Sequence, residues 1–137
     1  MNGTLVWTCL AIVGPLLSAP SLHAEVTADP SGHTVFVSRD TSSRVVRETV
    51  LKGDGSRHST FNQYWPQSEV KRRTADEDTD RSGRPIQRVF QDFDVRGRLI
   101  ERRAVTIDST GHQTGTRTHY SYDAQGRVHE TTSPLTR

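Results

Sequence analysis

The pattern Asp-x-x-Gly, usually followed by Arg or His, recurs five times in this chain: DPSGH from Asp29, DRSGR from Asp80, DVRGR from Asp94, DSTGH from Asp108 and DAQGR from Asp123. The chain has ten aspartates. With glycine at a background frequency of about 7% three residues on, chance would give about one such pair. The last four aspartates stand 14, 14 and 15 residues apart, which is the mark of a tandem structural unit.

The motif has the chemistry of a tight reversal. An aspartate at its first position accepts a hydrogen bond from the backbone N–H two residues on, and the glycine supplies the positive φ that closes the turn. Between turns lie about ten residues rich in Val, Ile, Thr, Tyr and Arg. In Leu99–Ile107, Leu99, Val105 and Ile107 alternate with Ile100, Ala104 and Thr106, the period of a strand. A short turn joins only antiparallel neighbours. The expected fold is therefore all-β: an antiparallel meander of about 6–8 strands, built from strand-and-turn units of about 14 residues, with little helix after an N-terminal signal helix. Asp40 and Asp54, also 14 apart, open DTSSR and DGSRH and read as worn copies that lack the fourth-position glycine. Residues 62–79, NQYWPQSEVKRRTADEDT, break the period, and their proline and dense charge predict an irregular charged connection. The apolar residues available to a core are few: Val35, Phe36, Val45, Val50, Leu51, Phe61, Ile86, Phe90, Phe93, Leu99, Val105, Ile107, Tyr120, Tyr122 and Val128.

Residues 1–24 differ from everything after them. The run LVWTCLAIVGPLL carries no charge and leads into small residues, so the segment reads as a signal peptide with cleavage after Ala24. The competing reading is an uncleaved anchor, but Pro15 and Pro20 interrupt the run and it is barely long enough to span a bilayer. Residues 25–137 then form a single β-repeat domain, secreted or periplasmic, with no stable membrane insertion after signal cleavage. All 18 Lys and Arg and all 16 Asp and Glu fall in this part, and it has no cysteine. Disulfides and thiolate chemistry are excluded there. A net charge of +2 argues against a nucleic acid partner, which calls for a concentrated basic field.

The segment YSYDAQGRV, Tyr120 to Val128, resembles the unit of the YD repeats, also called rearrangement hotspot (RHS) repeats, whose pattern is Tyr-Asp, two variable residues, Gly-Arg and an apolar residue. FDVRGRL, Phe93 to Leu99, is a second close match, and DRSGRP and DSTGHQ are partial ones, so the resemblance is clearest over residues 80–132. In that family the repeats are β-strands that wind into a hollow shell, found in bacterial polymorphic toxins, insecticidal toxin complexes and the teneurins. The resemblance implies structural turn roles for Asp80, Gly83, Arg84, Asp94, Gly97, Arg98, Asp108, Gly111, His112, Tyr122, Asp123, Gly126 and Arg127. It implies no catalytic residue. This chain has about seven units, whereas a closed shell takes many more.

Several residues invite chemistry and each has a plainer account. The acidic run Asp76 to Asp80 has carboxylates suited to calcium, but Arg81 stands where the helix-loop-helix calcium motif needs glycine, so a solvated charged loop is the default. His33, His58, His112, His119 and His129 would need convergence to bind zinc or copper, and His33 and His112 fill the slot held elsewhere by the turn arginine. That arginine can reach back to the turn aspartate as an exposed ion pair. A rim of such cations, extended by Lys71 to Arg73, would alternatively hold anionic glycans or lipid headgroups. Tyr64 and Trp65 are the candidate ligand contacts, with capping of the core as the alternative for Trp65. No motif for nucleophilic, zinc-hydrolytic or phosphoryl-transfer catalysis is present, and no cofactor is expected. These features together predict an exported noncatalytic binding or structural module with a protein or glycan partner in the envelope or extracellular space. The alternatives are an accessory or fragment of an RHS-repeat toxin or contact-dependent competition system that docks by strand addition, and, more weakly, an unrecognised hydrolase.

Overall fold

In a computed structural model, which describes residues 23–136, nine strands form one open sheet in chain order, every neighbour antiparallel. They are β1 (His23–Ala28), β2 (Thr34–Arg39), β3 (Val45–Leu51), β4 (Arg57–Tyr64), β5 (Lys71–Thr79), β6 (Pro85–Phe93), β7 (Leu99–Ile107), β8 (Gln113–Tyr122) and β9 (Val128–Thr136). The all-β meander expected from the repeat is what forms. The signal-peptide segment falls outside the described residues apart from His23 and Ala24, which open β1.

Seven of the eight reversals share one backbone construction. At Asp29, Asp80, Asp94, Asp108 and Asp123 the fourth-position glycine donates its N–H to the aspartate carbonyl at 2.9–3.1 Å, and the aspartate N–H closes the hairpin onto the carbonyl of the residue after the glycine. Each glycine sits at a φ of 79–87°, the left-handed region that follows a type I turn in a bulged hairpin. In the Asp40 turn Ser43 holds that conformation at 62°, so the copy is complete in shape without glycine. The next turn corrects the sequence register. Its first residue is Lys52, with Gly55 in the left-handed position, and Asp54 is the third residue, not the first. Asp54 still closes the loop by accepting from the Ser56 N–H and hydroxyl.

The expected irregular connection over 62–79 is also corrected. Asn62–Tyr64 completes β4, a turn follows in which Trp65 bonds both Val70 and Ser68 through the backbone, and Lys71–Thr79 is β5. Dense charge does not break this strand because four of its charged side chains find an ion-pair partner on a neighbour: Arg73 pairs with Asp92, Glu77 with Arg88, and Asp76 and Asp78 with His58. Pro66 lies in the turn, where no ladder hydrogen bond is lost. This strand and β1 carry the count to nine, past the expected six to eight.

The two faces follow from the register. One row of the first face runs through all nine strands as Val26, Phe36, Thr49, Ser59, Glu77, Arg88, Val105, Gly115 and Leu135. A matching row on the second face is Glu25, Val37, Glu48, Thr60, Asp76, Val89, Ala104, Thr116 and Pro134. The residues expected to form a core divide between these faces, and among the described residues no apolar side chain is buried. The buried residues are Thr49, Ser59, Asn62, Thr74 and Thr118, held by cross-strand bonds such as Thr49 to Ser59 and Thr118 to Thr132, both 3.0 Å. The anticipated thin core is therefore a polar ladder in a single layer.

Gly115 is the point of closest approach in the sheet, since a Cβ there would run into the Ala104 carbonyl oxygen. A Cβ at Gly83 would meet nothing, so only its left-handed φ opposes substitution. Gly83→Ala should cost about 1–2 kcal/mol, and Gly115→Ala clearly more, because the β7–β8 ladder must shift. Urea unfolding of the two variants side by side checks the order.

Candidate functional site

Six turn aspartates do the same work. In Asp29, Asp40, Asp80, Asp94, Asp108 and Asp123, Oδ1 accepts the N–H groups of the third and fifth turn residues at 2.8–3.1 Å. These are donors that a bulged turn would otherwise leave without a protein partner. Oδ2 takes the guanidinium Nε of Arg44, Arg84, Arg98 or Arg127 at 2.6–3.2 Å. His33 fills this slot through Nδ1 at 3.1 Å, whereas His112 joins its turn through the backbone N–H. The rim arginines are thus engaged within their own turns, which weakens the picture of a cationic rim for glycans or headgroups.

Those arginines also tie one turn to the next on the same rim. Arg44 donates to the Ser68 carbonyl and Arg84 to that of Ser109. Arg98 lies over the Tyr122 ring at 4.6 Å, and the Tyr122 hydroxyl donates to the Leu99 carbonyl at 2.8 Å. Arg44 and Tyr64 repeat this arrangement at 4.7 Å, with the Tyr64 hydroxyl on the Val45 carbonyl at 2.9 Å. Tyr64, expected as a ligand contact, is therefore a structural pin like Tyr122, and burial pushes its phenol pKa up. Trp65 is half-buried and takes the first position of its turn, the place aspartate holds elsewhere.

The site that sequence reasoning missed lies on the first face over β6 to β9. A depression of about 270 Å³ is lined by Arg88, Arg103, Arg117, Phe90, Val105, Leu135, Gln113 and Thr114. The Val105–Gly115–Leu135 row crosses it, and the missing side chain at Gly115 leaves the hollow. Around it runs a chain of charges: Arg73 on Asp92, Arg103 3.6 Å from Asp92 and 3.1 Å from Glu101, and Arg117 3.5 Å from Glu101. The Arg103 guanidinium also stands 5.1 Å over the Phe90 ring. No carboxylate lines the hollow itself. The arrangement suits an anionic or hydrogen-bond-accepting group held against an apolar floor.

The acidic run and the histidines sit elsewhere. Asp76 and Asp78 flank His58 on the second face, with Nδ1 2.8 Å from Asp78 and Nε2 3.7 Å from Asp76. Thr60 donates its hydroxyl to Asp76 at 2.7 Å, and the same oxygen stands 3.4 Å from His58 Nε2. His119 and His129 lie on the first face, and His33 and His112 in turns on the opposite rim. Among the described residues no three His, Cys, Asp or Glu side chains converge on a metal position. Searches against protein-family models and against curated proteins find no match for this chain.

Two measurements follow. Tyr122→Phe removes one part-buried hydrogen bond and should cost about 0.5–1.5 kcal/mol in urea unfolding. The turn carboxylates are depressed by the hydrogen bonds they accept, Asp80 most clearly, where the Ser82 hydroxyl is the largest cause and brings the pKa to about 2. An unfolded aspartate titrates near 3.9. The stabilisation is therefore complete above about pH 4 and is lost as pH falls through the folded value. Circular dichroism melts should show stability falling between about pH 4 and pH 2, and Asp80→Asn should lower stability at neutral pH while flattening that acid slope.

Proposed function

We propose that this chain is an exported, noncatalytic β-repeat protein that acts as a binding or structural module in the cell envelope or outside the cell. The observation that carries this reading is the hollow on the first face, where Arg88, Arg103 and Arg117 surround Phe90, Val105 and Leu135 on an open sheet. Guanidinium groups over aromatic and aliphatic surface are the usual anchors of protein and glycan recognition. The partner is a protein or glycan of the envelope, and the tyrosine pins Tyr64 and Tyr122 serve the scaffold.

The test is capture from the native envelope fraction by the tagged mature protein, compared with an Arg103→Ala, Arg117→Ala variant. A partner retained by the wild type and reduced about tenfold or more by the variant supports the reading. Equal capture by both, or substrate turnover that His58→Ala abolishes, would overturn it.

A second reading draws on the edges of the sheet, β1 and β9, which among the described residues have a strand neighbour on one side only. Such an edge can accept a strand from a larger YD-repeat protein, as an accessory to a toxin or contact-dependent competition system would require. Recovery of a large repeat protein in the same capture experiment favours it.

A further inference from the structure

The sheet is one layer thick, and a stable domain buries the face of one layer against another. Among the described residues both faces are open: Val26, Phe36 and Phe61 on the first face retain 48, 42 and 38% of their surface. The second face carries Val35, Val37, Val50, Val89 and Ala104 with nothing packed over them among the described residues.

The faces also differ in charge. Alternation and register place Arg47, Arg57, Arg73, Arg88, Arg103 and Arg117 on the first face, with the bulged Arg72 bonded to Gln63 beside them, against the carboxylates of Glu77, Asp92 and Glu101. Each of those three carboxylates is already paired with an arginine of the same face. Arg47 makes a contact over the Phe61 ring at 5.1 Å, and neither it nor Arg57 has a carboxylate within ion-pair distance among the described residues. The second face reverses the balance, with Glu25, Glu48, Asp76, Asp78 and Glu130 against Arg39, Lys71 and Arg102. One side of the sheet is net basic and the other net acidic.

We infer that copies of this chain stack face to face, the basic first face of one on the acidic second face of the next. Each face is then the electrostatic complement of the other face of the same molecule, so a second copy satisfies both. A partner copy presenting its own first face would instead oppose like charge to like charge. Sheets packed this way lie about 10 Å apart, close enough to cover Val26, Phe36 and Phe61 with the valines of the neighbour. Because the two contacting surfaces differ, the contact is heterologous, and the assembly grows as a stack instead of closing as a two-fold dimer. A stack covers the hollow on every copy but the one at its end, so a partner and a second copy compete for the first face; the inference does not depend on the export reading, and the two fail in different experiments.

Sedimentation of the purified domain over a range of concentration and salt is the test. The wild type should associate, more weakly at high salt. Reversing the first face with Arg47→Glu and Arg57→Glu, or the second with Glu48→Arg and Glu130→Arg, should weaken association about a hundredfold in either variant alone. Mixing the two variants should restore it, since the reversed faces attract each other and the untouched faces still match. A wild type that stays monomeric throughout overturns the inference, as does association that survives either reversal or a mixture that fails to recover. Circular dichroism confirms that each variant keeps its strands, and Arg47→Gln with Arg57→Gln, which removes charge without reversing it, gives a smaller loss of the same sign if a reversed variant unfolds.

Discussion

The whole sheet depends on one small hydrogen-bonding device, an aspartate carboxylate folded back over its own turn. A bulged reversal leaves backbone N–H groups pointing inward, and Oδ1 takes two of them while Oδ2 anchors the side chain that follows. Because the motif supplies its own partners, a turn needs no packing from elsewhere. That self-sufficiency lets nine strands follow one another without a core, and it holds the Asp40 turn in shape with Ser43 in the glycine position, whereas the turns that open on Lys52 and Trp65 close through their backbone hydrogen bonds without a first-position aspartate.

What replaces the core is lateral. Thr49 with Ser59, Thr74 with Gln91 and Thr118 with Thr132 bond across neighbouring strands, and the Arg73–Asp92–Arg103–Glu101–Arg117 chain spans four of them. Exposed ion pairs contribute little singly, about 0–1 kcal/mol each. Their larger effect here is on register, because a slip of one residue would move every charge to the wrong face. The same register that aligns the charges divides basic from acidic residues between the two sides.

Much of the fold was legible in the chain because its decisive information is local. Asp80, Asp94, Asp108 and Asp123 announce their turns outright, and the strands between them have no other place to go. The register at Lys52 was misread because Asp54 offers a carboxylate two residues too late, and Gly55 was assigned to the wrong place in the motif. Lys71 to Thr79 reads as a solvated loop by charge density alone, because the partners of Arg73, Asp76, Glu77 and Asp78 are met only once the two flanking hairpins set the register. The hollow on the first face needed the turn to be placed first: once Asp108 to His112 is a hairpin, Arg103 and Arg117 reflect onto each other, and Gly115 onto Val105. Nothing in composition or spacing marks that pairing, and nothing marks Tyr64 as a pin until Arg44 is seen across two strands.

The order of strands in space repeats their order along the polypeptide, so each described strand is hydrogen-bonded only to its predecessor and successor. Sheets usually fold slowly because distant segments must find one another before any reward arrives. In this chain every pairing is a neighbouring hairpin, and the ladder can zip from whichever bend forms first. By the same logic, stress on the molecule peels strands from its two ends one at a time instead of collapsing it at once, as in repeat arrays whose stability adds up unit by unit.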